Sequence, residues 1–200
     1  MTSSFIHPTA LVENDFVGQG TRIWAFVHIF PGVRVGDNCN ICDHVFIETG
    51  ATIGNNVTLK NNVCVWEGIT IEDDVFVGPN VSFTNDLFPR SPRMIEVRTR
   101  YLQKDNWMAK TVIRRGSSIG ANATIIGGIQ IGCYSFIGAG ATVTKDVEPF
   151  ALVVGCPAKK VGYVCVCGKK RGTSFPSSTC PACGTTPDVY KCKFIENGDK

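Results

Sequence analysis

The side chains with the most definite chemistry lie near the C-terminus. Cys165-x-Cys167, twelve residues, then Cys180-Pro-Ala-Cys183-Gly place four of the ten cysteines in one short stretch. Two such knuckles supply four thiolates, the donor set of a tetrahedral zinc ion; a site with all four positions filled is structural and closed to catalysis. The first pair is one residue short of the usual Cys-x-x-Cys bite, and Cys192 is an alternative ligand. Cys39 and Cys42 also have a Cys-x-x-Cys spacing, but they fall on successive short strands and read as packing residues.

A second stretch is cationic. Between Thr84 and Arg115 stand Arg90, Arg93, Arg98, Arg100, Lys104, Lys110, Arg114 and Arg115, against Asp86, Glu96 and Asp105. A local charge near +5 favours an anionic ligand. The same stretch holds no histidine; the chain has only His7, His28 and His44.

The elements that must position these groups follow from a repeat. Every sixth residue from Phe5 is large and apolar: Phe5, Leu11, Val17, Ile23, Ile29, Val35, Ile41, Ile47, Ile53, Leu59, Val65, Ile71, Val77 and Phe83. The register resumes at Ile113 and runs through Ile119, Ile125, Ile131 and Ile137 to Val143. The residue four further on is mostly small or β-branched, as in Val27, Val45, Ala51, Val63 and Ala123. Glycine often follows the apolar residue, as at Gly18, Gly36, Gly54, Gly120 and Gly138.

A period of six suits neither a helix nor a hairpin strand. It suits a parallel β-helix of very short strands, in which glycine or asparagine turns each corner. Three hexads make a triangular coil of eighteen residues, so twenty hexads give nearly seven coils and a prism about 30 Å long. Residues 84–111 interrupt it, with Pro89 and Pro92 opposing strand pairing. Past Val161 the period ends, so the expected units are 1–162 for the solenoid and 163–200 for a small cysteine-rich module resembling a zinc ribbon.

With these hexads over residues 5 to 162, the sequence resembles the hexapeptide-repeat acyltransferases. That resemblance implies a left-handed coil, a homotrimer and acetyl-CoA as acyl donor. Three runs, Gly20–Ile29, Asn40–Glu48 and Phe83–Ser91, are similar to enzymes that N-acetylate nucleotide-linked 3-amino sugars for surface polysaccharide synthesis. Known members of that subgroup act on dTDP-linked 3-amino-3,6-dideoxyhexoses or on a UDP-linked 3-amino glucuronate, and the wording from Asn85 to Ser91 is nearer the dTDP branch.

The resemblance gives the residues roles. Asn85 orients the substrate amine or hexose, because a carboxamide both donates and accepts. Arg90 and Arg93 pair with the diphosphate, whose oxygens match guanidinium forks. Trp66, Glu67 and Asp86 border the sugar, with Glu48 stacked one coil before Trp66. The run Gly138-Ala139-Gly140 lets the pantetheine arm approach the backbone and offers free amides to its carbonyls, while Lys159 and Lys160 meet the coenzyme's phosphates.

A neutral sugar amine attacks a thioester unaided, whereas an alcohol needs a base; a loop without histidine therefore favours N-acetylation. The alternatives are O-acetylation with His28 or His44 as base, and a non-enzymatic trimeric scaffold whose cysteine-rich module binds a protein or nucleic acid through Lys169, Lys170 and Arg171. Three scattered histidines argue against a zinc hydratase.

Composition narrows the classes further. Apolar residues make up 44% and charged residues 18% of the 200, which opposes disorder. No run is apolar for the ~18 residues of a membrane span, and no signal-peptide pattern opens the chain. A cytoplasmic enzyme with no membrane or nucleic-acid partner is expected.

Overall fold

Most hexads form one two-residue strand and one tight turn. The computed structural model describes residues 3–13 and 16–188, and in them 22 strands and two short 3-10 turns. The strands stack in parallel on three faces, and eight on the first face mark eight successive coils, from Phe5–Ile6 to Ala151–Val154. The expected count of nearly seven coils is exceeded because Ala151–Val154 adds a strand after the hexads end, pairing in parallel with Phe136–Ile137. The protein is an all-β solenoid.

Register follows the eighteen-residue step: Asn40 pairs with Thr58 and Ile41 with Leu59. The second residue of each strand points inward, so Ile23, Ile41, Leu59, Val77, Ile119 and Ile137 form one fully buried column. Val27, Val33, Val45, Val57 and Val63 fill the second inward place with almost no exposure. Burying each such aliphatic side chain contributes ~1.5–3 kcal/mol, and the columns together form one continuous core.

The first coil departs from the expected register. Phe5 pairs with Arg22, and Leu11 with His28, so Ile6 and Val12 occupy the inward line instead. Phe5 and Leu11 are 43% and 54% exposed, and Phe5 rests on the Trp24 ring at 5.5 Å. This coil steps seventeen residues, and a one-residue slip in a strand reverses every side chain.

The glycines that follow the apolar residue do not turn corners. A Cβ on Gly36 would lie 2.5 Å from the Gly54 carbonyl oxygen, so close coil stacking requires the missing side chain. The left-handed backbone falls two positions later, at Asn38, Asn56 and Asp74 on one corner and at Phe26, His44, Asn62, Asn80 and Asn122 on another. The third corner is glycine in each coil that displays it: Gly32, Gly50, Gly68 and Gly128.

The insertion leaves after Ser82–Phe83 and returns in Thr111–Ile113, so Thr111 already belongs to the solenoid. Ile71 stacks directly on Ile113. The loop thus bulges from the glycine corner without breaking the coil. At the C-terminal end, Lys159–Val164 pairs antiparallel with Ala151–Val154 and then with Lys170–Gly172. The expected boundary after residue 162 falls inside that strand. Cys133, Phe150 and Tyr163 form a small second core there, flanked by Tyr134 and Phe175.

Candidate functional site

The loop crosses the glycine corner, and there the structure brings Trp66, Glu67, Asn85 and Asp86 together. Trp66 donates its indole N–H to the Phe83 carbonyl at 2.9 Å and packs on Phe46. Glu48, as the eighteen-residue step requires, lies one coil before Trp66, and its carboxylate accepts the Glu67 amide at 2.9 Å. The Asn85 carboxamide donates to the Glu67 carbonyl at 3.2 Å, leaving its own oxygen for a ligand. Gly127 covers this pair: a Cβ there would stand 2.8 Å from the Thr84 carbonyl oxygen, and its amide donates to the Thr84 hydroxyl at 2.9 Å.

The loop is held at its neck and across its span. Asp86 bridges antiparallel to Met108, and the Ala109 amide donates to the Asn85 carbonyl at 2.8 Å. The Asp86 carboxylate accepts from Arg100, from the Tyr101 hydroxyl at 2.8 Å and from the Phe88 amide at 2.9 Å. Burial alone would raise its pKa, but those donors outweigh it and hold the acid below the ordinary carboxylate range. In this chain Asp86 therefore organises the loop. Lys104 reaches the Glu67 carboxylate at 2.6 Å.

These contacts revise the charge argument. Arg100 and Lys104 pair with Asp86 and Glu67, while Arg114 and Arg115 pair with Glu72 and Asp74. Arg90 and Arg93 are exposed, and the Arg90 guanidinium donates to the neighbouring Pro89 carbonyl and, among the described residues, to no acid. Of the eight cations, these two remain among the free ones. Arg100 and Lys104, counted from the sequence as cations for an anionic ligand, instead pair with acids of the site, and Tyr101 is the residue that sequence reasoning missed; all three sit in a stretch without period, where no spacing signals a partner.

The other expected residues lie elsewhere. His28 pairs with Glu13 at 2.8 Å and packs against Phe30 and Phe46. Its strand is three coils from Ser82–Phe83, so it stands about 14 Å along the axis from Asn85. His44 turns a corner at φ 60° and stacks on Phe26. Gly138, Ala139 and Gly140 lie in the next-to-last coil, but their surroundings correct the expectation of free amides. The Gly138, Gly140 and Thr142 amides already donate to Val153, Ala121 and Gly155. Lys159 is exposed; Lys160 is paired with Glu148 and lies over the Tyr163 ring, contacts that raise its pKa.

In the C-terminal module the sulfurs of Cys165, Cys167, Cys180 and Cys183 all lie within 4.8 Å of one another. Cys165 and Cys183 are 3.5 Å apart, Cys167 and Cys180 3.9 Å. Four thiolates at the Zn–S distance of ~2.3 Å in a tetrahedron stand about 3.8 Å apart, so the cluster fits that ion. The Cys180 thiol is pulled down to about 6, chiefly by the amides of Ala182 and Cys183. Cys192 lies outside the described residues. Among those described, no helix is long and apolar enough to cross a membrane.

Eighteen-residue coils with a loop thrown from one corner define a class, the hexapeptide β-solenoid transferases. The model described as "Bacterial transferase hexapeptide (six repeats)" matches residues 16–49 and 110–145, on either side of the loop. Over 166 residues, 83% of this chain and 81% of the relative, the sequence is 51% identical to the dTDP-3-amino-3,6-dideoxy-alpha-D-galactopyranose 3-N-acetyltransferase of Aneurinibacillus thermoaerophilus. The chain belongs to the hexapeptide-repeat acyltransferases, in the family of that N-acetyltransferase.

Solved structures agree on the fold. A GDP-perosamine N-acetyltransferase from Caulobacter crescentus, with CoA and GDP-perosamine, superposes with TM-score 0.50 at 20% identity, covering 80% of this chain. This chain spans 57% of that one. A galactoside acetyltransferase in complex with coenzyme A matches with TM-score 0.51 at 26% identity, covering 66% of this chain and 64% of its own.

Proposed function

We propose that this acyltransferase moves the acetyl group of acetyl-CoA to the 3-amino group of a dTDP-linked 3-amino-3,6-dideoxyhexose, in the cytoplasm, for surface-polysaccharide synthesis. The relative named for that reaction, 51% identical over 166 residues, carries the reading. The amine lone pair attacks the thioester carbonyl, a C–N bond forms and the C–S bond breaks. CoA leaves as the thiolate, and the ammonium proton passes to it or to solvent. Asn85 is suited to accept an amine N–H on its free oxygen, with Glu67 and Trp66 beside it. Arg90 and Arg93, exposed on the loop, supply cations for the diphosphate. No histidine lies between Thr84 and Thr111, in keeping with an amine that needs no protein base.

Acetyl-CoA is the co-substrate, with Gly138–Gly140, Lys159 and Lys160 as its contacts. A structural Zn²⁺ at Cys165, Cys167, Cys180 and Cys183 is the second bound group. The assembly is a homotrimer. Thiol release from acetyl-CoA, measured side by side with dTDP-3-amino-3,6-dideoxygalactose, its gluco epimer and UDP-linked 3-amino glucuronate, tests the reading. Turnover of a dTDP sugar supports it; turnover of the glucuronate alone moves the protein to the UDP branch. Silence with all three removes the assignment. Light scattering checks the trimer.

A further inference from the structure

The C-terminal module is too small to hold itself. Residues 163–188 bury few apolar side chains: Tyr163 and Val164, the two prolines Pro176 and Pro187, and Cys165 and Cys180 of the cluster itself. Ordering each residue's backbone costs ~1–2 kcal/mol, and units this short need a metal or disulfides to stay folded. Strand Lys170–Gly172 meets its neighbour at only two register pairs. The cysteines are not bonded to one another: the pairs at 3.5 and 3.9 Å lie far beyond the ~2.05 Å of a disulfide.

The position of the first knuckle gives the cluster a second consequence. Cys165 follows directly on Lys159–Val164, the strand that closes the last coil. At the other end of that strand, Lys159 and Lys160 pair with Val154 and Val153. Around them the chain covers the coenzyme-side run: the Ala158 amide donates to the Thr142 carbonyl at 2.8 Å, and a Cβ on Gly138 would meet the Val154 side chain at 2.7 Å. The two knuckles are tied through Arg171, whose guanidinium donates to the carbonyl and hydroxyl oxygens of Ser178. One strand thus joins the cysteine cluster to the expected coenzyme contacts.

We infer that a thiophilic metal ion at Cys165, Cys167, Cys180 and Cys183 anchors strand Lys159–Val164 to the solenoid, and that its occupancy sets the protein's affinity for coenzyme A. The second half rests on the acetyl-CoA reading. Metal binding supplies folding free energy to a small unit that lacks a core. The metal takes no part in acetyl transfer; it fixes the strand that carries the two lysines.

The test compares full-length protein as purified, stripped with a high-affinity zinc chelator, and restored with Zn²⁺. Metal content, trypsin digestion, and calorimetric titration with coenzyme A and with the nucleotide sugar are measured on each. Expected are about one zinc per chain and, after stripping, new tryptic cuts confined to Lys159–Arg171. Affinity for coenzyme A falls about fivefold or more, an ordinary coupling magnitude, while affinity for the nucleotide sugar holds. Added Zn²⁺ reverses both effects. Cys183→Ser, which removes an exposed ligand, reproduces the stripped state. Protein that binds no zinc, or whose stripped module resists trypsin, overturns the anchor. Equal coenzyme affinity in loaded and stripped protein overturns the coupling. If neither form binds coenzyme A, the acetyl-CoA reading fails, while digestion still reports on the anchor separately.

Discussion

The Asn85 side-chain amide donates to the Glu67 backbone carbonyl one coil away, at 3.2 Å, and so its oxygen is fixed in direction. A carboxamide held by one end presents the other as a prepared acceptor. Asn85→Ala removes that acceptor without touching the core. An unmade hydrogen bond at a reacting amine costs ~1–3 kcal/mol, so kcat/KM falls about 10- to 100-fold while Tm stays within a few degrees. Steady-state kinetics with thermal melts checks this, and an unchanged kcat/KM removes Asn85 from the site.

Arg90 and Arg93 stand free where Arg100 and Lys104 do not. Replacing both with Ala raises KM for the nucleotide sugar about tenfold or more, in line with charge-assisted bonds to phosphate. KM for acetyl-CoA does not move. The wild-type KM rises with added salt, and the double variant loses most of that dependence. A variant with normal KM and the same salt response sends the diphosphate elsewhere.

Asp86 holds the loop through three donors, and its carboxyl lies below the ordinary range because those donors outweigh burial. A lowered native pKa stabilises the folded loop above the unfolded value near ~3.9, and the contribution is lost as pH falls through the native value. Asp86→Asn therefore loosens the loop at pH 7, and the difference from wild type closes toward acid. Proteolysis within residues 87–107, followed from pH 7 down to about 3, reports this. Equal protection of both proteins at pH 7 would falsify the loop role.

The solenoid was legible because its rule is local: one inward residue in six, repeated, leaves few alternatives. Ile41 and Leu59 stack as that rule requires. The rule failed at Phe5 and Leu11, where one residue is missing between Val12 and Val17 and the apolar neighbours Ile6 and Val12 serve as well. Spacing also brought Glu48, Trp66, Glu67 and Asn85 near one corner, since eighteen-residue steps are geometry. Asp86 was a different case. Its partners Arg100 and Tyr101 come from an aperiodic loop, and a charge count cannot tell a cation facing solvent from one already paired.

His28 carries the pairing of an oriented base, with Glu13 at 2.8 Å, yet it stands three coils from Asn85. On an unassisted amine attack, His28→Ala keeps at least half of wild-type kcat, apart from a small loss of stability where the ring leaves Phe30 and Phe46. The pH profile of kcat/KM is unchanged and rises with deprotonation of the substrate amine. A loss of a hundredfold or more with an intact melt restores the histidine as base and reopens O-acetylation.

Gly140 separates a folding role from a binding one. Its φ is +68°, and nothing lies within 4 Å of where a Cβ would stand. The same corner carries Asn62, Asn80 and Asn122 at φ of 63°, 57° and 57°. Asparagine tolerates that backbone better than most residues, so Gly140→Asn changes stability by less than about 1 kcal/mol. The chain itself therefore leaves room for a side chain at this position. On the proposed path of the pantetheine arm past this corner, the added carboxamide obstructs it, and KM for acetyl-CoA rises about tenfold with Tm intact, a cost of ~1.4 kcal/mol. KM for the sugar stays constant. A Gly140→Asn enzyme with normal acetyl-CoA kinetics places the coenzyme on another face of the prism.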